Sequence, residues 1–257
     1  MNKSKVLLIL SDGLRPDAFL SCRHPFADEL LANAASDMAA TCVMPSVTLP
    51  CHMSLFHSVK PDRHGILTNT YVPQVRPVRG LCDVARGEGK TCAVFYSWEE
   101  LRDLWRPDAI ADSVFVSGHT HSYEEANQRL TDACIACIRK EAPDFVFLYL
   151  GWTDAAGHGS GWMSDEYMRA AHDSVGCMEK VIKSLPDDYA VMIIADHGGH
   201  DRSHGADCPE DMTIPFLMLD GMGKRELHGV NIIDVAPTAA AILGIRPDAD
   251  WEGKTIG

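Results

Sequence analysis

The sequence predicts an α/β fold: a three-layer α/β/α sandwich with a largely parallel central sheet. Three observations predict it. Short runs rich in Val, Ile, Phe and Leu, without polar alternation, recur at 5–10, 91–96, 145–150, 190–195 and 215–219. Segments with helical periodicity and recognisable caps lie between them. The 257 residues, 46% hydrophobic and 23% charged, suffice for a sizeable core. No fixed-period repeat, low-complexity tract or Pro/Gly/Ser linker divides them, so one domain, 1–257, is expected.

In chain order, the first run (5–10) ends at Ser11-Asp12-Gly13. It is too short for a signal-peptide core or a membrane span. In Pro45-Ser46-Val47-Thr48-Leu49-Pro50-Cys51-His52, Thr48 stands where a helix N-cap belongs. Pro50 suits the first turn, and an apolar helix follows. The second run (91–96) lacks polar alternation, as suits a strand buried on both faces. Ser122-Tyr123-Glu124-Glu125 has capping-box spacing and predicts a helix that stops near Glu141-Ala142-Pro143. Cys134 and Cys137 fall on one face of that helix, where packing is a better account than an incomplete zinc site. The third run (145–150) leads into Gly151-Trp152-Thr153-Asp154 and a Gly-rich turn ending at His158. Ser164 opens a helix running to about Leu185-Pro186, and the fourth run (190–195) ends at Asp196-His197-Gly198. After the fifth run, Asp234 begins a capped helix that Gly244 closes.

Composition narrows the partners. A net charge of −13 with scattered Lys and Arg argues against a nucleic-acid-binding surface. Nine cysteines, an odd number, without a recognisable secretory signal predict free thiols in a reducing compartment, hence a cytoplasmic location. No segment predicts a membrane span.

The chemistry collects where strands end. Asp12, Asp154 and Asp196 each follow an apolar run. Ligands in open α/β sheets bind outside the carboxyl ends of the strands. If these strands are parallel neighbours, three carboxylates converge on one crevice, and a bound cation relieves their repulsion. His158, His197, His200 and His204 accompany them. Mixed Asp/His ligation suits zinc or manganese. Singly, an Asp-x-x-Gly-His segment is more often a plain turn; jointly, at strand ends, these residues point to metal. The Thr48 hydroxyl, at a helix N-terminus, faces a field that favours an alkoxide and a phosphate, although capping alone accounts for it in isolation.

These blocks, together with Pro61-Asp62-Arg63-His64-Gly65-Ile66, resemble in order and spacing the alkaline phosphatase superfamily, and within it the type I phosphodiesterase/nucleotide pyrophosphatase branch. The resemblance implies one metal held by Asp12, Thr48, Asp196 and His197, and another by Asp154, His158 and His204. It implies Thr48 as the nucleophile, with a covalent phospho-enzyme that water hydrolyses, and two divalent ions about 4 Å apart. His200 is expected outside the ligand set. Pyrophosphatase members carry Asn three residues after the nucleophile; here that position is Cys51, a weaker donor. Sulfatases need a Cys-x-Pro-x-Arg signature that Cys51-His52-Met53-Ser54-Leu55 lacks.

Hydrolysis of a phosphodiester or pyrophosphate bond in a small phosphorylated substrate is therefore the expected activity. A phosphomonoesterase or phosphonate hydrolase is the alternative, with Arg15 and Arg63 as candidate binders of the extra negative charge. A phosphomutase and a catalytically silent metal-binding domain rank lower. Trp98, Trp105 and Trp162 are pocket candidates, Trp162 foremost, and Asn69 and Tyr71 are candidates to reach the site.

Overall fold

The chain is described by a computed structural model covering residues 3–257. Its strands are β1 (Lys5–Ser11), β2 (Ala35–Thr41), β3 (Cys92–Tyr96), β4 (Asp112–Phe115), β5 (Phe145–Leu150), β6 (Tyr189–Ile194), β7 (Thr213–Leu219) and β8 (Arg225–Glu226). All join one sheet in the order β4-β3-β5-β1-β6-β7-β2-β8. From β4 to β6 every pairing is parallel, whereas β7 runs antiparallel to both neighbours. The expected largely parallel sheet is present. Strands β3, β5 and β6 are buried along their whole length, as their unbroken apolar runs require.

The helices are α1 (Pro16–Ser21), α2 (Pro25–Asn33), α3 (Thr48–His57), α4 (Pro61–His64), α5 (Leu81–Gly87), α6 (Gly118–His121), α7 (Tyr123–Glu141), α8 (Trp152–Ser160), α9 (Asp165–Ile182), α10 (Pro209–Met212) and α11 (Val235–Leu243). Helices α1, α2, α7 and α9 pack together on one side of the sheet, and α3, α5 and α11 on the other. In α9 the buried residues Tyr167, Ala170, Ala171, Ser174, Val175, Met178 and Val181 trace the i, i+3, i+4 stripe that covers a sheet face. Ser122 and Ser164 cap α7 and α9 by accepting hydrogen bonds from the Glu125 and Tyr167 amides. Cys134 is fully buried in α7 and Cys137 partly so, both as packing residues.

Local expectations needed correction. Helix α9 ends at Ile182, a few residues early. Asp234 does not cap α11; Asn231 opens that segment with a capping box through a short 3-10 turn, and Asp234 supplies the returning carboxylate. Thr48 is the first helical residue rather than the cap, a position held by Val47, and its side chain makes no capping bond. Residues 154–158 are not a turn. They lie on α8, so Asp154 and His158 share a face by i, i+4 spacing.

Candidate active site

The sheet order places β1 between β5 and β6, all parallel and in register, with Leu10 opposite both Tyr149 and Ile194. Asp12 and Asp196 therefore leave the same edge just past their strands, and Asp154 meets them from the first turn of α8. Strand β2 is antiparallel to β7, which is antiparallel to β6. Two reversals restore direction, so β2 also ends on this edge and delivers α3 there. Gly13, at φ +66°, lets the backbone approach Asp154; a Cβ there would lie 3.2 Å from the Asp154 Cα.

The expected ligands meet. Nε2 of His197 lies 3.4 Å from Asp12 Oδ1, 3.3 Å from Asp196 Oδ2 and 3.2 Å from the Thr48 hydroxyl. Nε2 of His158 lies 3.4 Å from Asp154 Oδ1, and Nε2 of His204 lies 3.7 Å from the same oxygen. In all three imidazoles Nδ1 donates to a backbone carbonyl: Gly198 for His197, Arg202 for His158 and Ser46 for His204. That bond fixes the tautomer and turns a bare Nε2 lone pair toward the carboxylates, as metal-ligating histidines require. Asp12 Oδ1, Asp154 Oδ1 and Asp196 Oδ2 are buried without a hydrogen-bond partner.

Burial, reinforced for Asp12 by the neighbouring Asp196 and Asp154, drives the Asp12 carboxyl well above the usual range. Asp196 and Asp154 are raised as well, burial again being the main cause. Burial lowers His204 to about 3, keeping it neutral and able to ligate. Three carboxylates with buried, orphaned oxygens, faced by imidazole Nε2 atoms, fit divalent cations better than any arrangement of protons. Two Asp/His groupings recur by geometry alone: Asp12, Asp154 and His197, and Asp154, His158 and His204.

The site opens into a cleft of about 310 Å³ whose lining includes Thr48, Asn69, Trp98, His119, Tyr123 and Tyr149. The Tyr149 hydroxyl donates to Asp12 Oδ2. Sequence reasoning missed Tyr149, His119 and Tyr123. A tyrosine one residue before a strand end was the available signal, because a buried hydroxyl needs a partner; His119 and Tyr123 gave none. Asn69 does reach the site: its Oδ1 accepts from the Leu49 amide at the start of α3, leaving Nδ2 to donate. Tyr71 does not; it borders a separate cavity beside Trp105.

Other candidates lie elsewhere. Trp162 is buried behind the ligands, with Nε1 donating to Gly13 O and its ring filling the space beside Gly157 and Gly199. Trp105 packs edge-on with Phe56, Tyr96 and Phe147, so of the three tryptophans only Trp98 borders the cleft. Arg15 is tied to Asp17 and Gly199 O, and Arg63 to Arg76 O and Asp250. Neither borders the cleft. Cys51 is fully buried and directs its thiol at the Val43 and Pro45 carbonyls, away from the cleft. His200 bonds Asp211, not the cleft ligands.

A model of the type I phosphodiesterase/nucleotide pyrophosphatase family matches residues 6–124 and 91–248. The chain belongs to that family. That family lies within the alkaline phosphatase superfamily, which is metal-dependent. Among solved structures, murine ectonucleotide pyrophosphatase/phosphodiesterase 5, an inactive threonine-to-alanine variant in complex with AMP, superposes with a TM-score of 0.76 at 14% identity, covering 95% of this chain and 96% of that one. The phosphonate monoester hydrolase of Agrobacterium radiobacter gives 0.74 at 14% identity, covering 98% and 76%. Among curated proteins, a 2,3-bisphosphoglycerate-independent phosphoglycerate mutase of Bacteroides thetaiotaomicron is 28% identical over 138 residues, 51% of this chain and 26% of that one. The chain spans between 25% and 54% of the length of the curated mutases compared.

Proposed function

We propose that the chain hydrolyses a phosphodiester or pyrophosphate bond in a small phosphorylated substrate, with Thr48 as the nucleophile. One observation carries this reading. The Thr48 hydroxyl, free of any capping bond, faces the orphaned carboxylates across a cleft whose lining contains no Lys or Arg. A monoester dianion calls for more cationic partners than a diester monoanion does, and the cleft offers none from side chains.

Asp12, Thr48, Asp196 and His197 would hold one divalent ion, and Asp154, His158 and His204 a second, with zinc the proposed metal and manganese the alternative. Bound there, the ions neutralise the carboxylates and polarise the phosphoryl oxygens. Thr48 Oγ1 bonds to phosphorus as the bond to the leaving oxygen breaks, and the hydroxyl proton passes, directly or through solvent, to that leaving oxygen. Water then cleaves the phosphothreonine and restores the hydroxyl. The Thr48 backbone N–H at the start of α3 and the Asn69 Nδ2 would stabilise the phosphoryl oxygens, since Pro50 has no N–H, the Leu49 amide is taken by Asn69 Oδ1, and Cys51 points away. Trp98, Tyr123 and His119 receive the leaving group. The nine unpaired cysteines support a reducing, cytoplasmic setting.

The test compares kcat/KM for an aryl phosphodiester and an aryl phosphate monoester. The diester is expected to be preferred, and Thr48→Ala to abolish its turnover. A large preference for the monoester overturns the reading in favour of a phosphomonoesterase. The mutase relatives motivate a second reading, phosphomutase, which interconversion of phosphoglycerates in a coupled assay would establish.

A further inference from the structure

The loop that carries His197 and His204 holds a second cluster that the cleft does not use. His200, Cys208 and Asp211 bring Nδ1, Sγ and a carboxylate oxygen within 4.8 Å of one another. Asp211 is fully buried, while His200 and Cys208 are half-buried. The Asp211 Oδ1 lies 2.7 Å from His200 Nδ1, and Cys208 Sγ lies 3.9 Å from that same nitrogen. A Cys-His-Asp catalytic relay needs the thiol and the carboxylate on opposite ring nitrogens. Here both address one nitrogen, so the three donors surround a point instead of forming a chain. In a tetrahedral zinc site, N···O and N···S separations are roughly 3.3 and 3.6 Å, from ordinary metal–ligand lengths. Opening His200 from Asp211 by about 0.6 Å and closing Cys208 on His200 by about 0.3 Å, movements within reach of two partly exposed side chains, would reach that geometry.

The geometry points to a third metal site, formed by His200, Cys208 and Asp211, that takes zinc or a similar thiophilic divalent ion. It is distinct from the cleft and does not depend on the function proposed for it. Asp211 is the rigid anchor: its second oxygen accepts from the Ala206 amide at 2.8 Å, and its backbone carbonyl accepts from Gly198 at 2.8 Å. The exposed side of the cluster admits the ion and leaves a position for water. Binding releases the Cys208 thiol proton, and a neutral His200 moves its hydrogen from Nδ1 to Nε2 so that the Nδ1 lone pair can ligate. The bound ion would clip the 197–211 loop closed on itself and hold His204, through its bond to Ser46 O, in place at the cleft.

Cobalt substitution tests this, because only this cluster contains sulfur. The intact protein loaded with Co2+ should show a thiolate-to-metal charge-transfer band in the near ultraviolet. Cys208→Ser and His200→Ala should lose the band and bind one ion fewer per chain by equilibrium dialysis with zinc. Asp12→Asn, which alters the cleft alone, should keep it. Absence of the band in the intact protein, or equal ion content in the intact protein and Cys208→Ser, overturns the proposal. The band surviving in a protein that hydrolyses no phosphoester leaves this site standing and removes only the cleft reading.

Discussion

At the residue scale, Asn69 separates two tasks that one side chain performs. Its Oδ1 satisfies the Leu49 amide, and its Nδ2 faces the cleft. Asn69→Asp keeps the acceptor, replaces the donor and adds negative charge. It should lower kcat by about 10²–10³, the loss typical of one oxyanion donor. Asn69→Ala should show a similar kcat loss together with about 1 kcal/mol of lost stability from the missing cap. Unchanged kcat for both variants with normal folding would leave Asn69 a helix cap only. The convergence of Asp12, Asp154 and Asp196 was legible in the sequence because each follows an apolar run, and the ends of parallel neighbouring strands share one edge. Tyr149 and Trp162 were not. Their roles depend on which face a fully buried strand or loop presents, and an unbroken apolar pattern carries no record of that. Thr48 was placed correctly as a hydroxyl at a helix start, but a one-residue shift in the boundary freed its side chain from capping.

At the element scale, the loop after β6 is held by contacts that leave no room for a side chain. A Cβ on Gly198 would lie 2.0 Å from the Glu210 carbonyl oxygen, a backbone atom that cannot rotate away. Gly198→Ala should cost about 3 kcal/mol or more, as severe overpacking does, and should weaken divalent-ion binding because His197 is its neighbour. Urea denaturation and a metal titration measure the two effects; stability within 0.5 kcal/mol of the parent, a margin typical of about neutral surface changes, would contradict the packing argument. Strands β2, β4 and β8 escaped sequence reading for a related reason. β2, Ala-Ser-Asp-Met-Ala-Ala-Thr, carries little β-branched or aromatic character and lies in the sheet because β7 and β8 flank it. Pro215 fits inside β7, an internal strand, where β2 changes register between Asp37 and Ala40, so the missing donor falls at a break in the ladder.

At the scale of the whole molecule, burial sets the pH response. His57, the last residue of α3, and His64, the last of α4, are almost fully buried, and burial lowers each to about 4. Their folded pKa values lie below the unfolded value of about 6.5. The unfolded chain therefore binds more protons between those limits, and stability is full above pH 6.5 and lost as pH falls toward 4. Replacing one titrating ring, as in His57→Gln, should make the fall in unfolding free energy over that window shallower by up to about 1.4 kcal/mol per pH unit. Identical pH slopes for parent and variant would contradict this assignment. The sheet order explains why a chain with a net charge of −13 gathers carboxylates at a single edge: β5, β1 and β6 are adjacent and parallel, so the folding that buries their apolar runs also forces Asp12, Asp154 and Asp196 together. Anomalous diffraction from zinc-loaded crystals, recorded above the zinc absorption edge, tests that convergence directly. Two strong peaks are expected in the cleft, one bounded by Asp12, Thr48, Asp196 and His197 and the other by Asp154, His158 and His204. A cleft without anomalous density at saturating zinc would contradict the account.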